Sequence, residues 1–325
     1  MTDAWIRAVV EAIHSSPTQA VLYISGGASQ VLGWLLSVPG ASNTVLEVVV
    51  PYSRMSTIQL LGKIPTQFCS QHTAEEMALL AYNRALKLSR PGSPVLGVGF
   101  TGSLVSERPK LGDHRFYLST RTADRLWIST VTLSKCLRTR EEEDKISSCV
   151  LLKAIANACK VPATIDTGLT ESEVSDECEK QFTEEQELEQ LISGKTSFKV
   201  YPFSSVATSI CGGAYPCFEL SAVNADKPPL SVSQIKDRVK QFEKAGKTVI
   251  ISNQPYFYKK AELFPGSAFV IGVDTVIRLI NPKYYDGDYK KMLEILIGCK
   301  RTGCTFLVAG RNVDGVFKIL MSQRN

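Results

Sequence analysis

The residues with chemistry to offer gather between Leu22 and Lys63. An apolar run breaks there at Ser25-Gly26-Gly27-Ala28-Ser29, a helical segment follows, and Val38-Pro39-Gly40-Ala41-Ser42 ends it. A second apolar run, Val45 to Val50, stops at Pro51-Tyr52-Ser53. A strand that delivers a serine onto a small-residue turn ahead of a helix exposes the hydroxyl and offers backbone N–H groups to an anion. The spacing therefore allows nucleophilic attack by Ser25 or phosphate binding at the turn. The same residue types also build strand-to-helix turns with no chemistry.

The elements that must position these residues come in a definite order. The turn, a helix, Val38-Pro39-Gly40-Ala41-Ser42 and an apolar strand lead to Tyr52-Ser53, Ile58-Gln59-Leu60-Leu61-Gly62 and His72-Thr73-Ala74-Glu75-Glu76-Met77-Ala78. Val98-Gly99-Phe100-Thr101-Gly102-Ser103 continues the pattern, which fades near Cys159. In this order the first half resembles the CinA C-terminal domain family, whose known activity is hydrolysis of nicotinamide mononucleotide to the nicotinate form. The resemblance implies a three-layer α/β domain over residues 1–165, self-assembly, and a nucleophile at Ser25. It further implies ligand contacts from Gly26, Gly27, Tyr52, Thr101 and Gly102.

The departures bear on the chemistry. The family's partner lysine falls on Thr57, and threonine cannot take the hydroxyl proton that a serine nucleophile must lose. Ile24 stands where the family has an acid, Gly26-Gly27-Ala28-Ser29 replaces its Cys-Thr-Gly-Gly, and Ser103 to Pro109 replaces its glycine-rich loop. Lys63 lies beyond the family position and reads as a surface lysine. A family arginine matches Arg140, within Arg138-Thr139-Arg140-Glu141-Glu142-Glu143, where a ligand contact and a solvated helix start are both open readings. Ser25 is thus expected to be a vestigial nucleophile.

From Asp166 to Glu189 the chain carries acids at 166, 171, 173, 176, 177, 179, 184, 185, 187 and 189 against the single base Lys180. Such a stretch repels itself and reads as a solvated linker, placed at 166–192. Beyond it, residues 193–325 alternate apolar strands with helices. A strand over Ala214–Val223 opens into Asn224-Ala225-Asp226-Lys227-Pro228-Pro229-Leu230, and Ile235, Val239 and Phe242 share one helix face. Thr248–Ser252, Phe269–Asp274 and Thr305–Arg311 read as strands, with a helix between Tyr284 and Ile297. This alternation implies parallel strands with ligands at their carboxyl ends.

These segments resemble the nucleotidylyltransferase superfamily, in particular its nicotinate and nicotinamide mononucleotide adenylyltransferase branch. The resemblance implies an incomplete Rossmann-like domain and nucleotide contacts from Asn224, Lys227, Gly272, Asp274 and Arg311. That superfamily holds a triphosphate with two histidines of an HxGH sequence at a helix start. The histidines here are His14, His72 and His114, so the element is missing from this half. The serine-rich ISSxxIR turn is missing too, and Val206 to Ile210 reads as the tail of the helix that HxGH should open. A shortened form of a chain with a complete transferase domain is the expectation, with no bound cofactor and magnesium-ATP only if the transferase half is active.

Composition sets the outer bounds. The 325 residues, 44% apolar, are enough for two domains, and a net charge of +5 without clustered bases gives no nucleic-acid footprint. The nine cysteines form no C-x-x-C pair, which favours a reducing compartment and no structural metal. No apolar run reaches membrane-spanning length, so a cytoplasmic protein is expected. Two functional classes follow: an enzyme of pyridine-nucleotide metabolism, deamidating through Ser25 or transferring an adenylyl group, or a non-catalytic nucleotide-binding protein, which is favoured.

Overall fold

In the computed structural model, residues 3–108, 111–203, 216–313 and 316–318 are described, and the chain divides into two compact units, Met1–Ala207 and Thr208–Asn325. The first unit is built on β1 (Gln19–Ser25), β2 (Val45–Val49), β3 (Val95–Ser103), β4 (His114–Arg121), β5 (Arg125–Leu133) and β6 (Val174–Gln181). They form one sheet in the order β2-β1-β3-β4-β5-β6. β1 runs parallel to β2 and β3, and the remaining pairs are antiparallel. Its helices are α1 (Ala4–Ser15), α2 (Ser29–Ser37), α3 (Ala41–Thr44), α4 (Arg54–Leu61), α5 (Gln71–Leu88) and α6 (Arg140–Ala158).

Two apolar layers fix this as a three-layer α/β unit. On one face, Ile6, Val10, Val31, Leu35, Leu151 and Ile155 of α1, α2 and α6 pack against Leu22, Leu96, Phe100 and Phe116. On the other, Met77, Ala81, Tyr82 and Ala85 of α5 cover Val21, Tyr23 and Val95. A side chain as large as Leu151, fully buried, contributes about 1.5–3 kcal/mol. The approach of α5 to β3 is backbone on backbone. A Cβ built on Gly97 would stand 2.2 Å from both the Ala78 carbonyl oxygen and the Tyr82 nitrogen, so glycine there lets the helix lie on the strand. Serine and threonine caps set the helix starts: Ser53 accepts from Ser56 N–H, Ser70 from Thr73 N–H, and Thr139 with Glu142 closes a capping box on α6.

The acidic stretch expected to link two domains is part of the first unit. Ser175 to Gln181 pair residue by residue with β5 as an edge strand, and α7 (Glu184–Ile192) follows behind a Thr183–Gln186 capping box. What charge counting missed is the anchoring. Arg121, 4% exposed, lies over the rings of Phe182 at 4.2 Å and Tyr82 at 5.8 Å and donates to Gln190 of α7 at 2.5 Å. Asn83 of α5 accepts from Ser197 N–H at 2.8 Å and donates to the Lys195 carbonyl at 2.8 Å, just before β7 (Phe198–Tyr201).

The second unit alternates as the sequence implies. β8 (Phe218–Ser221) pairs in parallel with β9 (Val249–Ser252), joined by α8 (Val232–Lys244). After α9 (Phe257–Leu263), β10 (Ala268–Gly272) pairs in parallel with β11 (Thr305–Ala309), with α10 (Val273–Leu279), a 3-10 turn (Pro282–Tyr285) and α11 (Tyr289–Arg301) between them. A short hairpin, β12 (Arg311–Val313) with β13 (Val316–Lys318), follows. Three strands end earlier than expected: β8 at Ser221, β11 at Ala309, and β10 at Gly272, so that Asp274 sits in the first turn of α10. The helix tail expected at Val206 to Ile210 lies outside the described residues. No helix among the described residues is long and apolar enough to cross a membrane.

Candidate functional site

β1 and β3 end side by side, with Ser25 opposite Thr101 in register, and the segment after β2 brings Tyr52 to the same edge. These ends open a cavity of about 260 Å³ lined by Ser25, Gly26, Tyr52, Thr101, Gly102 and Arg140, six of the residues singled out in the sequence, together with Thr57. Gly26 makes the approach possible. Its φ is +80°, and a Cβ there would stand 2.0 Å from the Gly102 carbonyl oxygen. Gly27 does not line the cavity but packs against Leu104, Phe100 and Ser147.

The hydrogen bonds decide what this cavity can do. Ser25 Oγ donates to the Pro51 carbonyl at 3.3 Å, and Thr57 Oγ1 donates to the same carbonyl at 2.8 Å. The two hydroxyls thus share an acceptor where an activated serine needs an amine or imidazole. No Lys, His, Asp or Glu is among the residues lining the cavity. Lys63 is ion-paired with Glu76. His114 is buried against Glu143 at 2.7 Å, and His14 is buried between Thr44 and the Leu35 carbonyl.

Two expectations are corrected at this turn. The N–H groups at the start of α2, read as an anion cradle, are taken from within: Ala28 N–H donates to Ser147 Oγ at 3.0 Å, Ser29 N–H to Asp144 at 3.1 Å, and Gln30 N–H to Ser148 Oγ at 3.2 Å. A carboxylate of the chain itself already holds the position a phosphate would take. Arg140 in turn spends its guanidinium on backbone, donating to the Gly26 carbonyl at 3.0 Å and the Val105 carbonyl at 3.2 Å. It ties the 103–105 segment to the turn. Glu143 supports the same segment, accepting from Val105 N–H at 2.7 Å.

The sequence reading did not single out six lining residues, Arg54, Phe68, Cys69, Met77, Ser103 and Leu104. For Arg54 a signal existed: it precedes Thr57 by three positions in one helix, so both side chains share a face.

The second unit has its own cavity, also about 260 Å³, beyond the carboxyl ends of β8 and β9. Asn224 and Lys227 line it as expected; Gly272 and Asp274 do not, although Thr275 and Arg278 of the same helix do. Arg311 begins β12, and its side chain is outside what the structure describes. The walls are aromatic, with Tyr256, Phe257, Tyr258, Tyr284 and Tyr285. Burial raises the Tyr285 phenol to about 12, which keeps it protonated while it donates to the Leu279 carbonyl at 2.7 Å. The sequence reading also missed a buried charge pair here. Lys260, 5% exposed, donates to Glu219 at 2.7 Å, and Ser252 Oγ donates to the other Glu219 oxygen at 2.5 Å.

No family model and no curated protein matches the chain. Among solved structures it is similar to CinA-type proteins over about half its length. The competence/damage inducible protein CihA from Agrobacterium tumefaciens is 18% identical with a TM-score of 0.37, the match covering 49% of this chain and 94% of that one. A CinA superfamily protein from Enterobacter cloacae is 13% identical with a TM-score of 0.36, covering 49% and 91%. A competence or damage-inducible protein from Enterobacter asburiae is 12% identical with a TM-score of 0.37, covering 49% and 96%.

Proposed function

We propose that this chain is a nucleotide-binding protein whose first unit keeps a mononucleotide cavity around Ser25 without amide hydrolysis. The observation that carries this reading is the shared acceptor: Ser25 and Thr57 both donate to the Pro51 carbonyl, and the cavity lining offers no lysine, histidine or carboxylate to take the serine proton. The cavity in the second unit supports a nucleotide ligand there as well. Aromatic walls suit a base, while Lys227 and Arg278 suit a phosphate. Without HxGH histidines in its sequence, this unit is a binder rather than a transferase, and pyrophosphate release from magnesium-ATP is not expected. Pyridine mononucleotides as the ligands, a cytoplasmic location and self-assembly through the first unit belong to the same proposal.

The test is calorimetric titration of the full chain with nicotinamide and nicotinate mononucleotides, with ammonia release followed on the same sample. Binding without ammonia is the expected result. Turnover abolished by Ser25→Ala would overturn it, as would the absence of any binding. The converse experiment is Thr57→Lys, which returns an amine to the buried position beside Ser25. A positioned general base contributes about 10²–10⁴-fold, so ammonia release is expected to rise at least about 100-fold above wild type and to vanish again in Thr57→Lys with Ser25→Ala.

A further inference from the structure

Of the two arginines lining the first unit's cavity, one has no hydrogen-bond partner among the described residues. Arg54 opens α4, and its guanidinium carbon lies 4.9 Å from the centre of the Phe68 ring. Phe68 lines the same cavity. Among the described residues no carboxylate or carbonyl takes this guanidinium, whereas the nearby Arg140 is committed to Gly26 and Val105. A guanidinium stacked on an aromatic face keeps its edge donors for a partner in the ring plane, and that fork matches a phosphate's oxygens bidentately. The lining contains no acid to repel such a group. It does contain the hydroxyls of Ser25, Thr57 and Thr101, each of which already donates to a backbone carbonyl and so is left as an acceptor. The ligand side that meets them must then be a donor, such as a sugar hydroxyl or an amide N–H.

We propose that Arg54 is the specificity-determining residue of this cavity, selecting a phosphate monoester over the same molecule without its phosphate. The proposal rests on the mononucleotide reading for the ligand's remaining part but not for the phosphate itself. Arginine stays protonated at any physiological pH, so it supplies charge and geometry and cannot restore the proton transfer lost with the amine. Where a lysine-dependent hydrolase would place its base, this chain presents a permanent counter-ion one helical turn earlier. The change turns a reacting site into a recognising one.

The experiment compares nicotinamide mononucleotide, nicotinamide riboside and inorganic phosphate by calorimetry against the full chain, Arg54→Gln and Arg54→Lys. Wild type is expected to bind the mononucleotide about tenfold or more tightly than the riboside. Arg54→Gln should bring the two to near-equal affinity by weakening only the mononucleotide, and Arg54→Lys should retain part of the difference, because it keeps the charge and loses the fork. Arg54 lies on the surface, so the variants should melt at the wild-type temperature. An unchanged preference in Arg54→Gln, or equal binding of mononucleotide and riboside by wild type, overturns the proposal while leaving nucleotide binding intact. Arg54-dependent binding of inorganic phosphate without binding of the mononucleotide sinks the nucleotide reading and sustains this one. No binding of any probe defeats both.

Discussion

Gly97→Ala is expected to lower the melting temperature of the first unit by on the order of 10 °C. The added methyl carbon would fall 2.2 Å from the Ala78 oxygen and the Tyr82 nitrogen and 2.7 Å from the Tyr82 α-carbon. All three are backbone atoms of α5, so no side-chain rotation relieves the clash, and the helix must lift from a strand it contacts along its length. Overpacking of this kind costs about 3 kcal/mol or more where backbone has to move, and about 2–4 °C accompanies each kcal/mol in a protein of this size. Gly33→Ala provides the matched control. Gly33 lies exposed within α2 with nothing within 4 Å of its would-be Cβ, and there alanine should stabilise by about 0.5–1 kcal/mol through helix propensity. The same substitution thus carries opposite signs at the two sites, read by thermal unfolding of the two variants. A Gly97→Ala protein that melts like wild type would mean that α5 does not lie on β3 as closely as described.

The second large effect is acid sensitivity through Glu173. Burial by itself would push this carboxyl up. The Arg138 guanidinium, joined by the N–H groups of Thr170 and Ser134, outweighs that burial and holds the carboxyl at about 2. Because the folded value lies below the unfolded one, near 4.5, the stabilisation is fully present above about pH 5 and is lost as pH falls toward 2. For a side chain with no exposed surface that loss amounts to on the order of 3 kcal/mol. Urea unfolding at pH 7 and pH 3 should show it. Glu173→Gln should unfold more easily at pH 7 and should lose less additional stability on acidification than wild type does. Equal acid sensitivity of the two proteins would assign the acid transition to other carboxylates.

How far the sequence foretold these features depended on the distance along the chain over which a contact acts. The strand, turn and helix around Ser25 were legible because Ser25, Gly26 and the flanking apolar runs lie within a few residues of one another. Thr101 and Gly102 were brought in only by resemblance, and the structure sets them beside that turn. The Asp144 carboxylate that fills the turn lies 115 residues from Ser29, and nothing in its own neighbourhood announces the pairing. Lys260 and Glu219, 41 residues apart, were invisible for the same reason. The acidic segment was misread because its charges were counted and its strand pairing was not seen. Solvated side chains on an edge strand satisfy the same composition as a linker, while Arg121, Phe182 and Gln190 supply an anchor that no local window contains. The alternation of the second half was read correctly as parallel pairs, but strand ends slipped by two residues at Asp274, which moved it from a strand tip into a helix.

β6 is the last strand of its sheet among the described residues, and its outer rim of backbone N–H and C=O groups has no further described strand beside it. A rim of that kind is a template for a copy of itself, since any second chain offers an identical strand of matching length. Here the copy would arrive bearing the same Asp176, Glu177 and Glu179 against a lone Lys180, and the rims would meet with like charges facing. The acidic stretch therefore disfavours pairing of this edge with the same edge of a second chain.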